Sequence, residues 1–156
     1  MSTITIGAEL GEWLLDCVVP GQPVGKGRPR ASVRGRRVRM YTPPRTAAWE
    51  ALAASWARVA WRSRDALDEA VEVEIVAVLK RPQRLNRKKD SAGRLVCSSK
   101  PDLDNICKAA IDALVLARVI VDDNRVARLS ASKWYAAKGE AEHLEIRARP
   151  FEGNND

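Results

Sequence analysis

Two aspartates and one lysine of the types that carry out metal-assisted chemistry lie within a seven-residue stretch. Asp102 and Asp104 open a predicted helix, and Lys108 follows Asp104 by four residues, so these two share one side of it. A second acidic pair, Asp122 and Asp123, comes about twenty residues later, at the end of a segment predicted to be extended. If that segment packs beside the start of the helix, the carboxylates converge.

Carboxylates a few ångströms apart repel one another and raise one another's pKa. A hard divalent cation removes that cost, and Mg²⁺ is commonly held by one or two carboxylates together with waters and substrate phosphates. Clustered aspartates on a basic chain therefore indicate phosphodiester chemistry, as in a nuclease. Structural roles stay open for the same side chains: Asp102 as a helix cap, Asp122 in a turn, and Lys108 in an ion pair with Asp104.

Positive charge is concentrated in two stretches of a chain whose formal net charge is +7. Residues 26–45 contain eight basic residues and no acidic one, and residues 80–100 contain eight against Asp90 alone. Such stretches are typical of a surface that binds a polyanion, since each phosphate contact releases counterions; without an amphipathic basic helix, a membrane surface is the weaker alternative. The predicted nucleic-acid contacts are Lys26, Arg28, Arg30, Arg37, Arg39, Arg84, Arg87, Lys88, Lys89 and Lys100.

Hydrophobic periodicity predicts one α+β domain over residues 1–156, a mixed sheet with two main helices packed on it. The predicted strands are 13–19, 36–41, 70–79, 125–135 and 143–149, the last two paired as a hairpin. The predicted helices span about 45–62 and about 102–117, the second with an apolar side made of Ile106, Ala110, Ala113, Leu114 and Ala117. Residues 21–37 and 80–100 are expected to be basic loops without regular structure, the second mobile without DNA, and 151–156 a polar tail. Residues 1–11 are expected to form a loose or edge-pairing start.

The first helix carries three tryptophans, whose roles the spacing only partly separates. Trp49 and Trp56 lie seven residues apart and are predicted to face the core, whereas Trp61 is the one expected to face outward. Thr42, before Pro43 and Pro44, is the expected N-cap.

Cysteine and histidine usage excludes several classes of site. Cys17, Cys97 and Cys107 have no metal-ligand spacing and leave one thiol unpaired in any disulfide scheme, which favours a reducing compartment. No segment approaches the ~20 apolar residues that span a bilayer, and no signal-peptide pattern is present, so we expect a cytoplasmic protein. His143, the only histidine, argues against zinc or histidine-dependent nuclease chemistry.

The run from Pro101 to Leu114 and the later run from Asp122 to Val126 resemble the motifs of the RusA-type Holliday-junction resolvases. Segments 25–30 and 41–50 are similar to the amino-terminal pattern of that family, so the resemblance spans most of residues 14–135. The chain departs from the pattern at Asn124 and Arg125, where a small residue and then glutamine would be expected; this bears on local contacts.

The resemblance implies that Asp102, Asp104 and Asp123 bind the metal and that Lys108 is the essential basic residue, while Asn105 and Asp122 match motif positions without an assigned role. It also implies a RusA-like fold and a homodimer. The expected activity is a Mg²⁺-dependent endodeoxyribonuclease, for which Mn²⁺ could substitute, that resolves branched DNA in recombination and repair without a small organic cofactor. A bacterial or phage origin is expected.

Two rival functions remain open on the sequence. In a non-catalytic nucleic-acid-binding protein the basic stretches would bind and the aspartates would be caps and turns. A phosphohydrolase acting on a small substrate is disfavoured, because the basic stretches far exceed what one phosphate group requires.

Overall fold

The computed structural model of the protein describes residues 12–153, so the expectations for residues 1–11 and for the end of the tail lie outside the described residues. The strands are β1 (Leu15–Pro20), β2 (Arg30–Arg34), β3 (Arg37–Tyr41), β4 (Val71–Leu79), β5 (Leu95–Val96), β6 (Val126–Tyr135) and β7 (His143–Pro150). The helices are α1 (Pro44–Trp61) and α2 (Leu103–Leu116), with short 3₁₀ turns at Gln83–Leu85 and Asp123–Arg125. The predicted α+β class is confirmed.

A five-stranded mixed sheet in the order β1-β7-β4-β6-β5 forms the centre of the molecule. β4 pairs in parallel with β6 and antiparallel with β7, and β7 also pairs antiparallel with β1. The predicted hairpin of β6 and β7 is therefore wrong: the chain passes from β6 across β4 before β7 enters the sheet. Alternate side chains of β7 are buried, but so are those of the edge strand β1, so an alternating pattern in the sequence does not identify the neighbours of a strand.

Both helices cover one face of this sheet. Alternate residues of β4, such as Val73 and Ile75, are fully buried there and belong to one core cluster with side chains of β1, β7 and both helices. The predicted apolar side of α2 is confirmed, because Ile106, Ala110 and Ala113 are fully buried. The packed sheet thus fixes the position of α2.

The predicted orientation of α1 is wrong at two tryptophans. Trp49 is buried as predicted, but Trp56 is 45% exposed and Trp61 only 2% exposed. Alanines occur on nearly every side of α1, so the sequence does not identify which side faces the core. The structure places Pro43, not Thr42, at the N-cap, without a side-chain capping hydrogen bond.

The two basic stretches contain more regular structure than expected. Residues 30–41 form a separate two-stranded sheet, β2 with β3, of which only β3 had been predicted. Residues 80–100 include the 3₁₀ turn and β5, and they pack on a second, smaller cluster of Leu79, Cys97 and Tyr135.

The structure also gives the state of the three cysteines and the apolar character of the helices. Cys17, Cys97 and Cys107 are free and buried. Over residues 12–153, neither helix has the length and apolar character needed to cross a membrane.

Candidate metal and nucleic-acid site

Helix α2 carries acidic and basic side chains at consecutive turns on one side. Asp102 occupies the N-cap position, but its side chain forms no capping hydrogen bond. Asp104 lies in the first turn and is exposed, and Lys108 follows one turn later, also exposed. Asp112 continues the same spacing of four residues and is half-buried. The capping role considered for Asp102 is therefore not observed.

A cavity of about 670 Å³, here called the acidic cavity, lies beside this helix. Asp104, Lys108, Asp112 and Asp123 are among the residues that line it. The rest of its lining is mostly apolar and comes from α2 and β6: Leu103, Cys107, Ile111, Val126, Ala127, Leu129 and Ala131. The structure thus brings Asp123 to the same cavity as Asp104 and Lys108, as the sequence predicted.

The turn that carries Asp123 is held by its neighbours. The backbone N–H of Asp123 donates to Asp122 Oδ1 at 2.7 Å, so Asp122 has the turn role considered for it. Arg125 donates through Nη2 to Asp68 Oδ1 at 2.8 Å and through Nη1 to Asn124 Oδ1 at 2.7 Å. The two residues that depart from the family pattern therefore bind each other and anchor the turn.

Negative charge is crowded around Asp123. Hydrogen bonding and repulsion from Asp122 raise the pKa of Asp123 above its usual value, with further contributions from desolvation and from the charge of Asp112. Three carboxylates close enough to affect one another are what a divalent cation or a nearby ammonium group would stabilise.

Asp112 was not singled out from the sequence, although its spacing from Asp104 and Lys108 was a usable signal. Its Oδ2 lies 2.9 Å from Lys26 Nζ, and the same ammonium donates to Glu50 Oε1 of α1 at 2.7 Å. Burial alone would lower the pKa of Lys26, but the hydrogen bonds that its ammonium donates to Glu50 and Asp112 raise the pKa above its usual value. Lys26 therefore joins α1 and α2 behind the acidic cavity.

The backbone on either side of Lys26 fits closely between the two helices. Lys26 N–H donates to Asn105 O at 2.8 Å, and Gly27 N–H donates to Thr46 Oγ1 at 3.1 Å. A Cβ on Gly27 would lie 2.9 Å from Pro43 Cγ, which is too close without a shift of the neighbouring chain. A side chain larger than hydrogen is therefore disfavoured at position 27.

A second cavity, of about 700 Å³, opens beside the start of α2 and is here called the basic cleft. Asp102 lines this cleft and not the acidic cavity. Its basic lining residues come from both basic stretches and from α1: Lys26, Arg28, Arg30, Arg45 and Lys100. The amino-terminal end of α2 thus separates an acidic cavity from a basic cleft, with Asp104 on one side and Asp102 on the other.

The residues predicted to contact nucleic acid differ in how free their charges are. Lys26 has the two ion pairs given above, and Arg87 is paired with Asp90 at 3.0 Å. The others are exposed, and within residues 12–153 no ion pair involves them: Arg28, Arg30, Arg37, Arg39, Arg84, Lys88, Lys89 and Lys100. Eight of the ten predicted contacts therefore present charge to solvent.

Within residues 12–153, no group of three or more His, Cys, Asp or Glu side chains is arranged to hold a metal ion. A magnesium ion needs fewer protein ligands than that, because it retains waters and takes oxygens from a substrate phosphate. Asp104 and Asp123 in one cavity, with the crowding of charge around Asp123, fit such an ion.

Comparison with known proteins assigns the chain to a family. The family model described as endodeoxyribonuclease RusA matches residues 20–147, which include α2, the acidic cavity and the basic cleft. The chain belongs to the RusA family. It is thereby an endodeoxyribonuclease of the kind that hydrolyses phosphodiester bonds at Holliday junctions, and RusA nucleases generally depend on divalent metal ions.

Two relatives match the chain over most of its length. The uncharacterized protein YqaN of Bacillus subtilis (strain 168) is 31% identical over 136 residues, which are 82% of this chain and 94% of YqaN. The crossover junction endodeoxyribonuclease RusA of Aquifex aeolicus (strain VF5) is 30% identical over 125 residues, 77% of this chain and 80% of that protein.

Proposed function

We propose that this RusA protein is a magnesium-dependent endonuclease that resolves four-way DNA junctions by paired cuts in recombination and repair. The observation that carries the proposal is that Asp104, Lys108 and Asp123 line one cavity next to a cleft rich in arginine. The cavity suits a cation and the scissile phosphate, and the cleft suits the neighbouring phosphates of the same strand.

Asp104 and Asp123 would hold the magnesium ion; the family resemblance also implies Asp102, which lines the basic cleft and not the acidic cavity. A bound Mg²⁺ supplies a Lewis acid that lowers the pKa of water and offsets charge on phosphate oxygens. Lys108 presents an ammonium group to the same cavity, where it can stabilise charge that develops on the phosphate during hydrolysis.

The free cationic side chains of the basic cleft and of residues 80–100 would bind the DNA backbone. Phosphate contacts of this kind set position and orientation without reading sequence, which suits selection by DNA shape. A homodimer fits the proposed substrate, since a two-fold pair of subunits presents two equivalent sites for two symmetric cuts. The three free cysteines support a location in the reducing cytoplasm of a bacterium or a phage-infected cell.

The proposal is tested by cleavage of a synthetic four-way junction beside a linear duplex of the same sequence. We expect paired cuts in the junction when Mg²⁺ or Mn²⁺ is added, none when a chelator is present, and little cutting of the duplex. Binding without cutting under all metal conditions would instead support the rival function, a non-catalytic nucleic-acid-binding protein.

A further inference from the structure

The acidic cavity has an apolar part that binding of a cation and a phosphate does not use. Its carboxylates and Lys108 lie along α2 and at the turn before β6. Apart from Cys107, the remaining lining residues are aliphatic and are here called the apolar floor: Leu103, Ile111, Val126, Ala127, Leu129 and Ala131. None of these side chains can bind a cation or donate a hydrogen bond to a phosphate oxygen. The floor therefore has no role in the chemistry described so far.

An irregularity in β6 brings the strand residues of this floor together. The register of β6 against β4 shifts between Val126 and Arg128, which leaves Ala127 as an extra residue. A bulge of this kind changes which side chains of a strand share a face. Without the extra residue, Val126 and Leu129 would lie on opposite faces of the sheet. With it, both line the same cavity, followed by Ala131.

The floor lies on the face of the sheet that the helices cover, but beyond the cover of α2. Leu129 pairs with Val73, a fully buried residue of β4, so the two side chains are on the same face. Leu129 is nevertheless 44% exposed, and Ala127 and Ala131 are exposed as well. Among residues 12–153, no side chain covers this part of β6. A ligand can therefore reach it from solvent.

The acidic cavity is larger than a metal ion and its ligands require. Magnesium is octahedral, and at about 30 Å³ for each water-sized oxygen its ligands fill roughly 200 Å³. The cavity has a volume of about 670 Å³. The side of the cavity that the floor lines therefore has room for the sugar and base attached to a bound phosphate.

We propose that the apolar floor binds one unstacked nucleotide next to the scissile phosphate, with the face of its base against Leu129. The inference rests on the proposed function, because it takes the phosphate to lie at Asp104, Lys108 and Asp123. The sugar and base are covalently joined to that phosphate, and the floor is the adjoining part of the same cavity. Once a base leaves the stack, its face packs on apolar side chains.

A nucleotide bound in this way makes cleavage depend on DNA structure. A base in a continuous duplex must leave its stack and its pair before it reaches the floor, which costs free energy. At a branch point the stack is interrupted, so the same step costs less. The floor therefore favours cutting of junctions over linear duplex, even where the basic cleft binds the phosphates of both.

The first test places 2-aminopurine, a base whose fluorescence rises when it unstacks, at each nucleotide next to the branch point in turn. The Asp104→Asn background keeps the junction uncut during the measurement. We expect binding to raise the fluorescence at one of these positions, and Leu129→Thr to remove most of that rise while keeping strand propensity. Val18→Thr, at a position of β1 that is 51% exposed, is the matched control and should leave the rise unchanged.

The second test asks whether freeing the base promotes cutting of a linear duplex. With a mismatched pair at the position that is cut in the junction, the duplex should be cut at least about tenfold faster than the fully paired duplex, because a mismatched base leaves the stack at lower cost. Leu129→Thr should reduce this gain. It should also lower kcat/KM on the junction about three- to tenfold, since it removes apolar contact with the base.

The outcomes separate this inference from the proposed function. Junctions cut with magnesium, but without a 2-aminopurine response at any of these positions, would overturn the inference and leave the nuclease proposal standing; equal cutting of mismatched and paired duplex would overturn it too. A response that depends on Leu129, with no cutting under any metal condition, would support the binding site and refute the nuclease proposal. If Leu129→Thr changed self-association but left the response intact, the floor would be a contact between copies of the chain and the inference would be wrong.

Discussion

At the scale of single residues, the acidic cavity is lined by more carboxylates than the one or two that commonly hold a magnesium ion. Asp104, Asp112 and Asp123 all line it, but Asp112 already has Lys26 as its partner at 2.9 Å. The charge of Asp112 is thus partly offset within the protein, whereas no ion pair within residues 12–153 involves Asp104 or Asp123. These two are accordingly the carboxylates best placed to bind a cation.

Asp104→Asn separates metal binding from DNA binding. The amide keeps the size of the side chain but removes the negative charge, so we expect cleavage to fall by at least about a hundredfold, the loss typical of removing one charge-stabilising group. Junction affinity should be unchanged or higher, because a carboxylate that repels phosphate is gone. A cleavage assay measures the first effect, and a gel-shift assay measures the junction affinity. Asp16→Asn, on the exposed side of β1, serves as the control. Cutting at the wild-type rate would rule out Asp104 as a metal ligand.

Lys26→Met tests whether Lys26 is structural or contacts DNA. The change leaves two partly buried carboxylates, Glu50 and Asp112, without their shared cation, which should cost about 1–3 kcal/mol of unfolding free energy. Urea unfolding measures this, and Lys88→Met, at an exposed position, should have little effect. If Lys26→Met instead kept full stability and lost junction affinity, the ammonium would be a phosphate contact as the sequence suggested.

At the scale of elements, residues 80–100 form an ordered support with free charges at its surface. Arg81 donates to the carbonyls of Leu85 at 2.8 Å and Gly93 at 3.0 Å, and Lys138 donates to Arg87 O at 2.6 Å. Tyr135 donates its hydroxyl proton to Ser99 Oγ at 3.0 Å. These contacts hold the segment to itself and to Tyr135 and Lys138, and they leave Lys88 and Lys89 exposed.

Replacing Lys88 and Lys89 together with Ala should weaken junction binding more at low salt than at high salt. Each lost phosphate contact removes a counterion-release contribution, so the slope of log affinity against log salt should fall by about one to two. Fluorescence anisotropy with a labelled junction at several salt concentrations measures this slope. Arg87→Ala is an informative comparison because Arg87 is already paired with Asp90. An unchanged slope in the double variant would mean that these lysines do not touch DNA.

A second ion-pair group ties residue 94 to the turn between β6 and β7. Arg94 Nη2 lies 2.8 Å from Glu140 Oε2 and 2.9 Å from Glu145 Oε2. Hydrogen bonds from Arg94, and then from the N–H of Ala137, lower the pKa of Glu140 from 4.5 to about 2. Because its pKa is lower in the folded state, this carboxylate stabilises the protein fully above about pH 4.5 and loses that effect as the pH falls toward 2.

Glu140→Gln should therefore remove part of the acid sensitivity of folding. At pH 7 we expect the free energy of unfolding to fall by about 1–2 kcal/mol, which is less than the whole pKa shift implies because the pair is partly exposed. Below pH 4 the variant should lose less of this free energy, because Glu140 is then partly protonated in the wild type. Thermal unfolding across this pH range measures both. Glu142→Gln, in the same connection, is the control. Parallel pH profiles for wild type and Glu140→Gln would contradict the assignment.

Sequence patterns identified most elements but not all of their partners. The strict alternation of β4 and the apolar side of α2 specify their burial, because one face of each must be covered. The pairing of β7 with β4 and β1 depends on long-range contacts that a local pattern does not contain. In α1 the seven-residue spacing of Trp49 and Trp56 predicted the wrong tryptophan for the core, because the many alanines leave the core side of the helix unmarked. The arginines in β2 resembled a loop because nothing in the protomer covers that hairpin.

For the candidate site, the sequence likewise revealed the local spacings but not the long-range contacts. The spacing of Asp104 and Lys108 on one helix is local, and the structure brings Asp123 to the same cavity. Asp102 lines the basic cleft because residues 22–30 and the start of α1 lie beside the start of α2, a long-range arrangement that the sequence does not reveal. The pairing of Lys26 with Asp112 likewise joins residues that only the packing of α1 against α2 brings together.

At the scale of the whole molecule, an acidic cavity lies next to a cleft rich in arginine. The chain has a net charge of +7, yet the cavity that carries Asp104 and Asp123 is acidic, and the arginines lie in the adjacent cleft and on the hairpin. Phosphates are thus attracted to the surface around the cavity, and a cation bound by the carboxylates would offset their repulsion of the phosphate to be cut.

One acidic cavity per chain predicts how mixed subunits should behave on a junction that needs two cuts. If each subunit of the proposed homodimer cuts one strand, a dimer of wild type with Asp104→Asn should cut once and dissociate or stall. On a supercoiled plasmid with an extruded cruciform, paired cutting within one binding event gives linear DNA, and single cutting gives nicked circles. With rising Asp104→Asn, linear product should fall as the square of the wild-type fraction, because both subunits must be active. Nicked circles should rise until the two chains are present in about equal amounts and then fall, because they come from mixed dimers. A yield of linear DNA proportional to the wild-type fraction, without nicked circles, would mean that the subunits do not mix. A yield that falls more slowly than this, again without nicked circles, would mean that one active subunit makes both cuts, and preformed mixed dimers carrying two different affinity tags test this case directly.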